Sequence, residues 1–107
     1  MKRIYLSGPM TGIPDHNIPA FNAASQKLRL LGYDVVNPAE ITPQNGTTWE
    51  DYMRADLQAL LTCDTIALLA GWEKSKGAHL ELHLAHRVGM TVVFAEDVLS
   101  NVKGDWR

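Results

Sequence analysis

Four short apolar runs alternate along this chain with three longer stretches of helical periodicity, and that alternation leaves few folds open. Ile4-Tyr5-Leu6 reads as a strand ended by Ser7-Gly8-Pro9, and Tyr33 to Val36 as a second closed by Asn37-Pro38. Asp64 to Ala70 reads as a third and Thr91 to Ala95 as a fourth. Between the first two, Phe21, Ala24, Leu28 and Leu31 recur at helical spacing until Gly32, with Asn17 as a cap and Pro19 in the first turn. Thr47 and Thr48, followed by Glu50 and Asp51, open a second helix at Trp49 that should run to about Thr62. A third follows the Ser75-Lys76-Gly77 turn and ends at Gly89. Residues Met10 to Asn17 and Ala39 to Thr48 hold the glycines and prolines of loops. The tail from Glu96 to Arg107 is polar apart from Val98, Leu99, Val102 and Trp106, and no element is assigned to it.

Strands separated by helices require right-handed crossovers, hence a parallel sheet with helices on both faces. The expectation is one α/β domain over residues 1–107 with four to five parallel strands. In such sheets ligands bind beyond the carboxyl ends of the strands, where the strand order reverses. Three segments should reach that edge: the Gly8 loop, the start of the Trp49 helix and the turn from Gly71 to Gly77.

Two carboxylates break the helical pattern. At about 100° per residue, Ala78, Leu80, Leu82, Leu84, Ala85, Val88 and Gly89 form one apolar arc with Glu81 at its centre. His79, His83, His86 and Arg87 take the opposite face. On the preceding helix Trp49, Tyr52, Met53, Leu57, Ala59, Leu60 and Cys63 form an arc centred on Asp56. A carboxylate aimed into a core must be paired, protonated or used, because burying it bare is costly. Either residue alone fits a buried ion pair with an arginine or a loop cap; two around one strand suggest a shared acid/base or nucleophilic site. Asp56 lies ~10 Å along its helix from Trp49, so either the helix starts late or the pocket is deep.

Other features carry less. Backbone N–H groups at Ser75-Lys76-Gly77 offer a cradle for an anion or hydroxyl, although any capping serine looks the same. The Gly8-Pro9-Met10-Thr11-Gly12 loop matches neither a P-loop nor a dinucleotide fingerprint. Trp72 can stack on a planar ligand or cover the end of the sheet. His79, His83 and His86 read as a surface cluster, so no metal site is assigned. The lone Cys63 forms no internal disulfide, fits a reducing cytoplasm and reads as a small buried hydrophobe. A net charge of −2 argues against a nucleic-acid partner, and no apolar run approaches the ~18 residues that span a membrane.

Several of these residues, taken in order, resemble a known family. Tyr5-Leu6-Ser7-Gly8-Pro9, Asp56-Leu57 followed by Cys63-Asp64-Thr65-Ile66-Ala67, and Ser75-x-Gly77-Ala78-x-x-Glu81 are similar to the nucleoside 2-deoxyribosyltransferase superfamily. Pro38-Ala39-Glu40 and Gly71-Trp72-Glu73 resemble its small phage-associated branch of uncharacterised function, and the likeness spans about residues 3–94. The resemblance implies a flavodoxin-like three-layer sandwich, a nucleoside or nucleotide substrate, no cofactor and a homo-oligomer. It implies Glu81 as the nucleophile on the anomeric carbon, with Asp56 binding or protonating the substrate. It also implies that Ser75 and the strand-one loop (Gly8, Pro9, Met10) hold the sugar or its phosphate, with Tyr5 close by. Gly77 and Trp72 complete the expected substrate contacts. The strand-one loop lacks the arginine and extra glycine of phosphate-hydrolysing members, and Ser75-x-Gly77-Ala78 replaces the Asp-x-Gly-Thr common in transferases. The alternatives are a binding module for a nucleotide-like ligand without catalysis, and a phage accessory protein.

Overall fold

The computed structural model describes the backbone of residues 1–104 and the side chains of residues 1–100; Trp106 and the side chain of Val102 lie outside the described residues. Four strands, β1 (Arg3–Ser7), β2 (Asp34–Val36), β3 (Thr65–Leu68) and β4 (Thr91–Phe94), form an all-parallel sheet in the order β2-β1-β3-β4. Tyr5 of β1 stands beside Val36 on one side and Ile66 on the other, and Ile66 beside Val92. The chain steps from β1 outward to β2, returns past β1 to β3, and then continues to β4. The strand order therefore reverses between β1 and β3, which is where a crevice opens in sheets of this kind.

Helices cover both faces. α1 (Ile18–Leu30) and α4 (Ala95–Gly104) enclose a core of Ile4, Leu6, Phe21, Leu28, Val35, Ala67 and Val98. On the opposite face, α2 (Trp49–Leu60) and α3 (Lys76–Arg87) flank a second core containing Tyr5, Leu60, Cys63, Ile66, Leu68 and Ala85. Strand pleating divides β1 between them: Ile4 and Leu6 point to the first core, Tyr5 to the second.

The helix starts follow the chemistry of orphan N–H groups. Thr48 and Asp51 form a reciprocal capping box, with the Thr48 hydroxyl accepting from the Asp51 amide at 3.1 Å and the Asp51 carboxylate from the Thr48 amide at 3.0 Å. Ser75 accepts from the Ala78 amide at 3.1 Å and opens α3. α1 behaves differently. Asn17 adopts a left-handed conformation, as do Asp15 and His16, and its side chain donates to the Pro9 carbonyl at 2.9 Å instead of capping the helix. The asparagine therefore ties the β1 loop to the start of α1.

Two further expectations change. The tail after Phe94 forms a helix, so the described residues hold four strands; Ala95 and Val98 turn inward, which explains the apolar positions in an otherwise polar segment. The apolar arc of α3 is also narrower than its sequence pattern. Ala78, Glu81 and Ala85 are buried, whereas Leu80 and Val88 are exposed, because the helix meets the sheet along a single line.

Candidate active site

Glu81 is buried in α3, and its carboxylate meets the carboxyl end of β1. The Tyr5 hydroxyl donates to Oε2 at 2.7 Å and the Ser7 hydroxyl to Oε1 at 2.6 Å. Both donors come from one strand, two residues apart and so on one face. Charge-assisted bonds this short hold the carboxylate firmly.

Asp56 is the second buried carboxylate. Among the described residues its buried Oδ1 has no hydrogen-bond partner, which is costly in an interior. Among the described residues no lysine or arginine forms an ion pair with Glu81 or Asp56; the ion pairs present join Arg3 to Asp34, Arg29 to Glu40 and Arg54 to Asp51. Among the described residues, neither carboxylate is half of a structural ion pair.

Burial pushes the Glu81 carboxyl up to about 7; the Ser7 and Tyr5 hydroxyls pull it down, and the Asp56 charge adds to the rise. Burial alone pushes Asp56 up to about 7. The Tyr5 hydroxyl is held well above its ordinary value by burial and then by the charges of Glu81 and Asp56, so it stays a protonated donor. Two carboxyls near neutrality, one with two hydroxyl donors and one with an oxygen that has none among the described residues, form the asymmetric pair that acid/base chemistry needs.

The rest of the site is backbone geometry. The Ser75 hydroxyl, besides capping α3, reaches the Gly8 carbonyl at 3.5 Å, so the loop after β1 and the start of α3 are joined. A side chain at Gly8 would come within 2.9 Å of the Leu69 Cβ, and one at Gly77 within 3.3 Å of the Met53 Sδ. These glycines let the β1 loop approach β3, and α3 approach α2. Gly71, at a φ of 88°, has its Cα facing Pro9 and turns the chain from β3 toward α3. At the outer end of the α2–α3 pair, the Lys76 ammonium lies 4.8 Å from the centre of the Trp49 ring.

Of the residues singled out in the sequence, Tyr5 and Glu81 meet directly, while Gly8, Pro9, Ser75 and Gly77 line the junction of the two connecting segments. Met10 and Trp72 are partly buried and lie on opposite faces of the sheet. Met10 packs against the α1/α4 core, and Trp72 against the α2/α3 core, with its ring 5.3 Å from that of His79. His79, His83 and His86 are exposed, as the surface reading requires. Cys63 is a buried free thiol. The residue that sequence reasoning missed is Ser7. The only available signal was its spacing of two from Tyr5, easily taken for the polar end of a strand. A cleft of about 460 Å³ between α1 and the Pro38–Glu40 turn is lined by Asn22, Ser25, Arg29, Asn37 and Glu40, and none of the site residues borders it.

Comparison with known proteins adds a family and a fold. A family model described as a domain of unknown function, DUF4406, matches residues 2–94. A 2-deoxyribosyltransferase from Bacillus psychrosaccharolyticus superposes with a TM-score of 0.65 at 22% identity, over 85% of this chain and 70% of that one. A second, from Leishmania mexicana, gives a TM-score of 0.60 at 25% identity, over 88% of this chain and 64% of that one. The α/β fold is thus the one shared by 2-deoxyribosyltransferases, in line with the resemblance carried by the strand-one and α3 motifs. No curated protein matches the chain.

Proposed function

The chain belongs to the DUF4406 family, and for it we propose an enzyme acting on the N-glycosidic bond of nucleosides or nucleotides, with Glu81 as the nucleophile. The observation that carries this reading is the buried Glu81 carboxylate held by Tyr5 and Ser7, within the influence of a buried Asp56 whose Oδ1 has no partner among the described residues. The two structural neighbours named for deoxyribosyl transfer support the substrate class.

When the pair shares one proton, it rests on Asp56, because only Glu81 has hydroxyls that stabilise the ionised form. A Glu81 oxygen attacks the anomeric carbon. The bond from that carbon to the base nitrogen breaks, its electron pair goes to the base, and Asp56 supplies the proton the base needs to leave. The product is a glycosyl ester on Glu81. Asp56, now ionised, takes a proton from the incoming acceptor, which displaces Glu81 and frees the sugar. Water as acceptor gives hydrolysis, and a second base gives transfer. Gly8, Pro9, Ser75 and Gly77 form the wall for the sugar. Met10 and Trp72 are the further substrate contacts of this reading, carried by the resemblance.

The exposed Trp49, Tyr52 and Leu80 on α2 and α3 support a homo-oligomer, which sedimentation checks. Among the described residues no helix is long and apolar enough to cross a membrane; the cytoplasmic setting of this reading rests on the lone Cys63. The deciding experiment is incubation with a 2-fluoro-2-deoxynucleoside. A mass increase on Glu81, absent in Glu81→Ala, is expected; no adduct and no base release across a nucleoside and nucleotide panel overturns the reading.

A further inference from the structure

Ser7 is completely buried, yet its hydroxyl sits on a buried carboxylate instead of on the backbone. Its own carbonyl is already used, accepting from the Leu69 amide at 2.8 Å, so the residue is anchored by the sheet. The terminal torsion of a glutamate is soft, and a single donor leaves its carboxylate free to swing. Tyr5 alone secures only Oε2. Ser7 takes the other oxygen, and two donors from one rigid strand define the plane in which the carboxylate lies.

The surroundings of Glu81 make this second donor consequential. From β1 it faces Tyr5 and Ser7, and from α2 the like charge of Asp56. β3 brings Ile66 and Leu68 to the same core, neither of them titratable. The described residues provide no cation here, so two hydroxyls are what oppose burial and the Asp56 charge.

We propose that Ser7 is a positioning residue for Glu81: its hydroxyl fixes the carboxylate oxygen that Tyr5 does not hold and keeps the nucleophile ionised and aimed. The proposal rests on the assignment of Glu81 as the nucleophile, but it concerns a different residue and is read by a different measurement.

The test compares Ser7→Ala and Ser7→Thr with the unmodified full chain. For Ser7→Ala, kcat for base release falls about tenfold at neutral pH, in keeping with loss of a bond to a charged group, while KM holds. Removing a donor to the ionised form moves the Glu81 midpoint to higher pH, so the deficit shrinks as pH rises. Ser7→Thr, which retains a hydroxyl, restores the profile. The Glu81 titration is followed separately by carbon NMR of labelled glutamate, its signal identified by its loss in Glu81→Gln. An unmoved midpoint in Ser7→Ala, or a deficit that is independent of pH and not restored by threonine, overturns the proposal. A raised midpoint in a protein that never releases a base supports Ser7 holding Glu81 and overturns the nucleophile instead. If Ser7→Ala does not fold, Ser7→Cys, a weaker donor of similar size, must show the same upward movement or the proposal falls.

Discussion

The α1/α4 face of the sheet buries Ile4, Leu6, Phe21, Leu28 and Val35 with no carboxylate among them, whereas the α2/α3 face buries Glu81 and Asp56 at comparable depth. Both faces use the same strand, β1, whose alternate residues serve one side or the other. The apolar side gains stability from each apolar residue it buries, although it also buries the unpartnered Ser25 hydroxyl. The other side places two acids in a low-dielectric interior where their ionised forms are disfavoured. The contrast shows a division of labour: one face secures the fold, and that surplus sustains an unfavourable arrangement on the other. Such a trade is the usual cost of a pre-organised site.

The largest effect expected on the polar side is chemical. Glu81→Ala should reduce base release by roughly 10³-fold or more, measured with the best substrate of a nucleoside panel. On the apolar side the largest effect is on stability. Leu28→Ala, at a fully buried position, should destabilise the fold by about 2–5 kcal/mol in urea unfolding while the active-site titration is unchanged.

Glu81→Gln should have the opposite sign. The Glu81 carboxyl titrates near 7 in the fold and near the ordinary 4.5 in the unfolded chain. Below pH 4 both states hold the proton and the substitution removes no penalty. As pH rises from 4.5 to 7 the unfolded chain ionises first, and the native protein loses stability. Above 7 that loss is complete. At pH 8 the glutamine variant should therefore be more stable than the unmodified chain by on the order of 3 kcal/mol, with the gain disappearing near pH 4. A glutamine variant that melts lower at pH 8 would mean that Glu81 is structurally paired, and the contrast between the faces would break.

The smallest effect concerns the junction. Ser75→Ala removes the α3 cap and should cost about 1 kcal/mol, seen as a modest fall in melting temperature. A rise in KM beyond what that loss accounts for would sharpen the case for a sugar contact at Ser75.

How much of this was legible in the sequence depended on range. Periodicity alone placed Glu81 and Asp56 at the centres of their arcs, because helical spacing is a local signal. The Thr48–Asp51 box and the Ser75 cap were legible for the same reason. Ser7 was not, since its partner lies 74 residues away and only the packing of α3 against β1 brings them together. Asn17 satisfied every local rule for a cap, yet a tertiary bond to Pro9 claimed its side chain. Leu80 and Val88 misled in the other direction: an apolar arc marks what a helix is able to bury, not how wide a surface meets it. Residues 96–100 were ambiguous because two inward positions, Val98 and Leu99, are too few to establish a period.

The division of β1 into alternate residues also bears on how such a chain is able to change over generations. Point substitutions on the α1/α4 side alter packing one residue at a time, and neighbouring side chains are able to adjust. A single inserted or deleted residue within Arg3–Ser7 is a different event, because it exchanges the two sets of side chains. Tyr5 and Ser7 would face Phe21 and Leu28, while Ile4 and Leu6 would face two acids left without donors. Core and site would be lost together. New variants of this protein are therefore freer to gain or lose length in the exposed loop at 44–47, while the five residues of the first strand keep their count.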